Sequence, residues 1–202
     1  MYIPPPFAEK RPEELLAIMR AASLPILISP TASGLVATHL PLHIAGPDRI
    51  IGHVARANTH WRDVLPGSES LAIFTAGDGY VSPSWYPSKV ETGKVVPTWN
   101  YQAVHATGTL EIVEDPAALL AIVTTLTKQH EAGRAKPWAV TDAPADYIAA
   151  QLKGIVGLVL HVTKLEGKVK LSQNKSMADR VGVAEGMAQE NPALAEATRK
   201  TF

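Results

Sequence analysis

The sequence predicts a mainly β fold of the α+β class, an antiparallel barrel with flanking helices. Three observations predict it. Short runs of apolar and β-branched residues follow one another with only turn residues between them. Helical periodicity is confined to residues near the start, the stretch after residue 115, and the last thirty or so residues. Strands and helices do not alternate, as they would in a doubly wound parallel sheet.

The opening Met1-Tyr-Ile-Pro-Pro-Pro-Phe7 is expected to be extended, because its three prolines oppose a helix. Pro12 then opens a helix with Glu13 and Glu14 in its first turn, where the helix dipole favours them. Leu15, Leu16 and Met19 give it an apolar side, and it must stop near Leu24, before Pro25. Residues 25–29 and 34–42 read as strands, with Pro41 taking the second out of its ladder or placing it at an edge. Residues 45–49 turn the chain and 50–55 return it. Residues 71–75 are a buried strand, and Gly77-Asp-Gly79 is expected to be a turn. Residues 80–85 are extended, 87–96 a polar loop, and 98–113 one long strand bent at Gly108.

Asp115-Pro116 is a strong helix start, a capping side chain followed by proline at the first helical position. Leu119, Leu120, Val123 and Leu126 fall at helical spacing behind it, as far as about His130. A second helix is expected over 142–152, with Pro144 in its first turn and Gly154 just past its end. Residues 155–162 are a strand, Glu166-Gly167 a turn, and 168–172 a strand pairing back. From Asn174 the chain reads as short helices broken near Gly182 and Pro192 and fraying toward Phe202. Residues 1–202 read as a single domain, with 174–202 as its helical tail.

Composition narrows the function. The chain has 202 residues, 46% hydrophobic and 19% charged, with 19 Lys+Arg against 19 Asp+Glu. A net charge of zero gives no broad attraction to nucleic acid, so direct DNA binding is not expected. The absence of cysteine excludes disulfides, thiolate metal sites and cysteine nucleophiles. The N-terminal residues lack a secretory signal pattern, and no apolar run is long enough to cross a bilayer. A cytoplasmic location is therefore expected.

Three stretches gather polar and aromatic groups more densely than surface turns do. They are Gly52-His-Val-Ala-Arg-Ala-Asn-Thr-His-Trp61, Tyr80-Val-Ser-Pro-Ser-Trp-Tyr86 and Val96-Pro-Thr-Trp-Asn-Tyr-Gln-Ala-Val-His105. Together they offer donors for an anion and flat faces for a ring, although core aromatics separated by turns would read the same way. No Gly-x-Gly-x-x-Gly or Gly-x4-Gly-Lys-Ser/Thr is present, so any phosphate must be held by side chains and strand-end amides. Gly-x-Ser-x-Gly and His-Glu-x-x-His are absent too. The histidines have few carboxylate companions at metal-ligand spacing, and no metal is expected.

These stretches, together with the N-terminal segment and Lys170-Leu-Ser-Gln-Asn-Lys175, resemble in order the PaiB family of FMN-binding negative transcriptional regulators. That family is similar to the FMN-binding split β-barrels, which include pyridoxamine-phosphate oxidases and flavin reductases. The resemblance covers nearly the whole chain; Thr59 departs from it, standing where the motif has proline. It implies a homodimer with FMN at the subunit interface. It also implies a regulator or, alternatively, a flavin-dependent oxidoreductase such as an NAD(P)H:flavin reductase or a pyridoxamine-phosphate-oxidase relative.

Cofactor contacts are implied at Arg56, Asn58 and His60 for phosphate and ribityl oxygens, and at Trp61, Trp85 or Trp99 for the ring. Tyr80 and Ser82 belong to the same set. Asn100 and Gln102 are implied for the pyrimidine edge, and Lys170, Ser172, Gln173 and Asn174 for closure of the site. For Arg56 a surface ion pair is the alternative, and for Lys170 and Lys175 a solvated strand end.

Overall fold

The structure, a computed structural model, covers residues 1–202. Its eight strands form one antiparallel sheet with flanking helices, as the sequence predicts. The strands are β1 (Ala8–Glu9), β2 (Ile26–Thr31), β3 (Gly34–His39), β4 (Leu42–Gly46), β5 (Arg49–Ala55), β6 (Glu69–Val81), β7 (Thr98–Val113) and β8 (Ile155–Lys170). Their order is β3-β2-β6-β7-β8-β5-β4, with β1 paired to β8. The helices are α1 (Pro12–Ala21), α2 (His60–Asp63), α3 (Ser88–Thr92), α4 (Pro116–Glu131), α5 (Ala145–Leu152), α6 (Met177–Glu190) and α7 (Pro192–Arg199).

The chain forms two compact units. One comprises Met1–Ala22, Phe74–Val104 and Glu166–Phe202; the other comprises Ser23–Ile73 and His105–Leu165. The first is called here the terminal unit and the second the central unit.

In the central unit, β2 pairs with β3 and with the start of β6, and β5 pairs with both β4 and β8. Pro41 separates β3 from β4, as expected of a residue without a ladder donor. Helix α4 is capped by Asp115, whose Oδ1 accepts from the Ala118 amide at 2.9 Å. It lays Ile122 and Leu126 on Ile51 and Val159 of the sheet. Gly157 admits the helix, since a Cβ there would come within 2.9 Å of Ile122. Gly108 serves a closer approach, because its Cβ would overlap the carbonyl of His161 on β8. Helix α5 starts at Ala145, three residues later than predicted, because Pro144 is its cap and Val140–Asp142 form a separate 3-10 turn.

In the terminal unit, four expectations are overturned. No turn interrupts β6 at Gly77 and Gly79; the strand runs through to Val81. Gly79 is there for packing, since a Cβ would sit 2.8 Å from the Met187 sulfur and 2.9 Å from Leu194. Nor does the chain turn at Glu166-Gly167. Strand β8 continues to Lys170, and Gly167 gives room for Leu15 of α1 and for pairing with Glu9 of β1. Helix α6 passes through Gly182 and Gly186 unbroken, because both glycines make room for Trp85. The last helix does not fray: Leu194, Ala195 and Thr198 are buried, and only Asn191 separates it from α6.

Two smaller differences concern segments expected to be irregular. Pro5–Phe7 form a 3-10 turn, and the loop over 87–96 contains α3, closed by Gly93 at φ +64°. The core of this unit is Val81, Tyr86, Leu171, Val183, Met187 and Leu194. Burying each large apolar side chain contributes about 1.5–3 kcal/mol.

Candidate functional site

The expected site residues fall into two sets, one in each unit. In the central unit, β5 ends at Ala55 and leads through Arg56 into α2. His60 is fully buried: its Nδ1 lies 2.8 Å from Thr38 Oγ1 and its Nε2 2.8 Å from Ser29 Oγ. Ser29 Oγ continues to Ser70 Oγ at 2.7 Å. Asn58 completes the network, accepting from the His60 amide at 3.0 Å and donating to Thr38 Oγ1 at 3.2 Å. Burial pushes the His60 imidazole below its ordinary range, against a smaller opposing pull from Asp63, so it is neutral near pH 7. Both ring nitrogens of His60 are thus already partnered inside the protein.

The Arg56 guanidinium is also engaged. It donates to Glu114 at 2.5 Å, to the Lys153 carbonyl at 2.9 Å and to the Ile155 carbonyl at 3.2 Å. Trp61 donates its indole N–H to the Arg56 carbonyl at 3.1 Å. The guanidiniums of Arg56 and Arg62 lie 5.7 and 4.8 Å from the centre of its ring. This corner of the central unit is bound together by its own polar groups.

The terminal unit is arranged differently. Trp99 and Tyr101 alternate along β7 and share a face; Lys168 and Lys170 do the same on β8. Lys168 Nζ stands 5.1 Å from the Tyr101 ring centre and 5.5 Å from that of Tyr2, and donates to the Tyr2 carbonyl at 3.1 Å. Lys170 donates to Thr98 Oγ1 at 2.5 Å and to the Trp99 carbonyl at 2.6 Å. Tyr80 meets Trp99 edge-on at 5.9 Å, and both rings are about half exposed. Lys175 Nζ lies 5.0 Å from the Tyr86 ring centre.

No carboxylate is within ion-pairing distance of Lys168, Lys170 or Lys175. Asp179 is near enough to feel Lys175, but its two oxygens accept from the amide and hydroxyl of Ser88. Burial, and then the charges of Lys168 and Lys175, push the Lys170 ammonium below its ordinary range.

On the opposite face of β7, Asn100 is fully buried, and its Oδ1 accepts from Ser172 Oγ at 3.1 Å while its Nδ2 has no partner. The buried Tyr86 hydroxyl is likewise unpartnered. Surplus positive charge and two half-exposed rings fit a ligand with an anionic group and a flat ring. These residues therefore fit FMN.

The remaining expected contacts have local tasks. Ser82 Oγ accepts from the Ser84 amide, capping a 3-10 turn. Trp85 packs its ring on α6 at Gly186. Gln173 accepts from the Leu171 amide and donates to the Val169 carbonyl, holding the bend after β8. Asn174 is exposed, and Gln102 lines a cavity of about 510 Å³ with Leu171 and Leu194.

Lys168, Tyr101 and Tyr2 are the groups that sequence reasoning missed. Lys168 and Lys170 already share a face of the expected strand over 168–172. What no local pattern shows is that Tyr2 and Tyr101, distant in sequence, stand beside Lys168.

Residues 1–164 match the family described as "Putative FMN-binding domain". The chain is 33% identical over 196 residues to protease synthase and sporulation protein PAI 2 of Bacillus subtilis, covering 95% of this chain and 92% of that protein. It is 30% identical over 225 residues to the uncharacterized protein AN0679 of Emericella nidulans, covering 92% and 90%. Two solved structures share its fold. The FAD and heme binding protein from Mycobacterium smegmatis superposes with a TM-score of 0.61 at 19% identity, over 81% of this chain and 73% of that one. The flavocytochrome Anf3 from Azotobacter vinelandii superposes with a TM-score of 0.60 at 17% identity, over 81% and 69%. With a family model spanning most of its length and a relative aligned almost end to end, the chain belongs to the FMN-binding domain family and has the split-barrel fold.

Proposed function

We propose that the protein binds FMN as a homodimer and works as a flavin-dependent regulatory protein, in keeping with the sporulation role that its Bacillus relative's name carries. The observation that carries the reading is the trio Lys168, Lys170 and Lys175, left without carboxylates beside half-exposed Trp99 and Tyr80. Lys170 supplies a charge-assisted bond to the phosphate, with Lys168 and Lys175 adding to its field. Trp99 and Tyr80 exclude water from one side of the ring. Arg56 holds the end of β5 to the start of β8 at Ile155 and to Lys153 just before it, which fixes the corner that Asn58 and His60 build. Bound FMN supplies a centre that accepts hydride or electrons.

Covering the exposed Trp99 and Tyr80 with a second copy of the chain accounts for the dimer. The terminal helices offer no positive stripe for DNA: Asp179, Glu185, Glu190 and Glu196 interrupt their basic residues, so regulation passes through a partner protein. No helix is long and apolar enough to cross a membrane.

The test is the absorption spectrum of the purified protein, the mass of any released cofactor, and sedimentation. Yellow protein releasing FMN from a dimer is expected. A monomer without flavin refutes the reading. Saturable NAD(P)H oxidation that disappears in Lys170→Ala replaces the regulator with an oxidoreductase.

A further inference from the structure

Helix α4 has two working sides. Leu119, Ile122 and Leu126 are buried, whereas Leu120, Thr124, Thr127 and Lys128 form a second stripe at helical spacing. Across from that stripe, Ile148, Ala149 and Leu152 of α5 form its counterpart. Helix α5 has no fully buried residue, so its apolar side faces a cavity rather than a core. That open cavity, lined also by Val140 and Thr141 of the 3-10 turn, measures about 710 Å³ and lies wholly within the central unit. Pockets of 300–1,000 Å³ are the size that takes a small organic molecule.

The lining is mostly apolar. Lys128 is the single charged residue among the lining groups, and no carboxylate pairs with it. The hydroxyls of Thr124, Thr127 and Thr141 also line the cavity without a protein partner. An apolar hollow carrying one free ammonium and three free hydroxyls complements an apolar molecule that ends in an anion. A neutral apolar ligand would leave the ammonium unanswered. A peptide or a second copy of the chain would have to bring both an apolar ridge and an acidic group to the same place.

We propose that this cavity between α4 and α5 binds a small apolar carboxylate, with the chain or ring between Leu120, Ile148 and Leu152 and the carboxylate on Lys128. The site is separate from the lysine and aromatic face of the terminal unit. It stands whether or not that face binds FMN.

The test uses decanoate and decan-1-ol with the full-length protein in isothermal titration calorimetry. Decanoate is expected to bind once per chain, and the alcohol about tenfold more weakly, because it lacks the charge-assisted contact. Lys128→Gln should bring decanoate down to the alcohol's affinity. Ala149→Trp, at an exposed position on the cavity wall, should abolish decanoate binding and leave FMN binding unchanged. No heat with decanoate, equal affinity for acid and alcohol, or an unchanged Lys128→Gln overturns the proposal. Dissociation of a dimer by Ala149→Trp in sedimentation also overturns it, by giving the groove to a second copy. Should Ala149→Trp not fold, the comparison of acid with alcohol in wild type and Lys128→Gln decides alone.

Discussion

Ser172 reaches Oδ1 of Asn100 at 3.1 Å from a left-handed backbone, the one non-glycine residue with positive φ, at +66°. The bond fixes the Asn100 amide with its oxygen spent and its nitrogen free. Two substitutions separate the backbone from the hydroxyl. Ser172→Gly relieves the left-handed strain, which offsets the lost hydrogen bond, so stability should change by less than about 1 kcal/mol. Ser172→Val adds a β-branched side chain where φ is positive and should cost about 2 kcal/mol or more. Urea denaturation of the two variants checks this, and equal midpoints would mean that the backbone conformation carries no strain.

His60 gives the protein a pH dependence. Its folded pKa is depressed by burial, so the folded state binds fewer protons than the unfolded one, whose histidine titrates near 6.5. The stability is fully present above that value and is lost as pH falls from it through the lower folded pKa. Burial depresses His53 in the same sense. His60→Leu should lower stability at pH 8 by about 1–3 kcal/mol, because Ser29 and Thr38 lose a buried partner. It should also flatten the slope between pH 7 and 5. Stability measured by denaturant across that range gives both, and an unchanged slope would contradict the assignment.

The contact between Trp85 and Gly186 makes a third case. A Cβ at Gly186 overlaps the indole, so Gly186→Ala should destabilise by about 1–3 kcal/mol although alanine is the better helix former. In a Trp85→Ala background the same substitution should stabilise by about 0.5–1 kcal/mol, since only the helix preference remains. A double-mutant cycle without this change of sign would show that the ring does not occupy the groove.

Lys170 supplies a prediction of its own. Its ammonium titrates below the ordinary lysine value because it is partly buried and faces Lys168 and Lys175. An anionic ligand requires the charged form, so FMN affinity should fall with rising pH earlier than an ordinary lysine would allow. Riboflavin, which lacks the phosphate, should show less of this decline. Parallel decline of the two ligands would place the phosphate elsewhere.

Much of the fold was legible because its signals are local. Asp115-Pro116 fixed the start of α4, and the unbroken β-branched and aromatic run over 98–113 marked β7. The errors share one cause. Gly77, Gly79, Gly167 and Gly182 read as punctuation, yet in the structure the last three admit a neighbouring side chain or backbone, which no local pattern reveals. The site was legible in residue types and only partly in roles. Asn58, His60 and Arg56 sit in the expected corner, but their hydrogen bonds turn inward, to Thr38, Ser29 and two carbonyls distant in sequence. The rings of Tyr2 and Tyr101 reach Lys168 from segments distant in sequence, which no local pattern reveals.

The most direct test of the account is a fluorescence titration of FMN, with riboflavin in parallel, against wild type, Lys170→Ala and Arg56→Ala. Stacking against aromatic rings should quench the flavin as the wild type is added. Lys170→Ala should weaken FMN by about tenfold or more and hardly affect riboflavin, since a charge-assisted contact is worth roughly 1.5–3 kcal/mol. Arg56→Ala serves as the control: its guanidinium is spent on Glu114 and two carbonyls of the central unit, so neither ligand should lose affinity. Absence of FMN binding by wild type at micromolar protein, or retention of full FMN affinity in Lys170→Ala, would contradict the account.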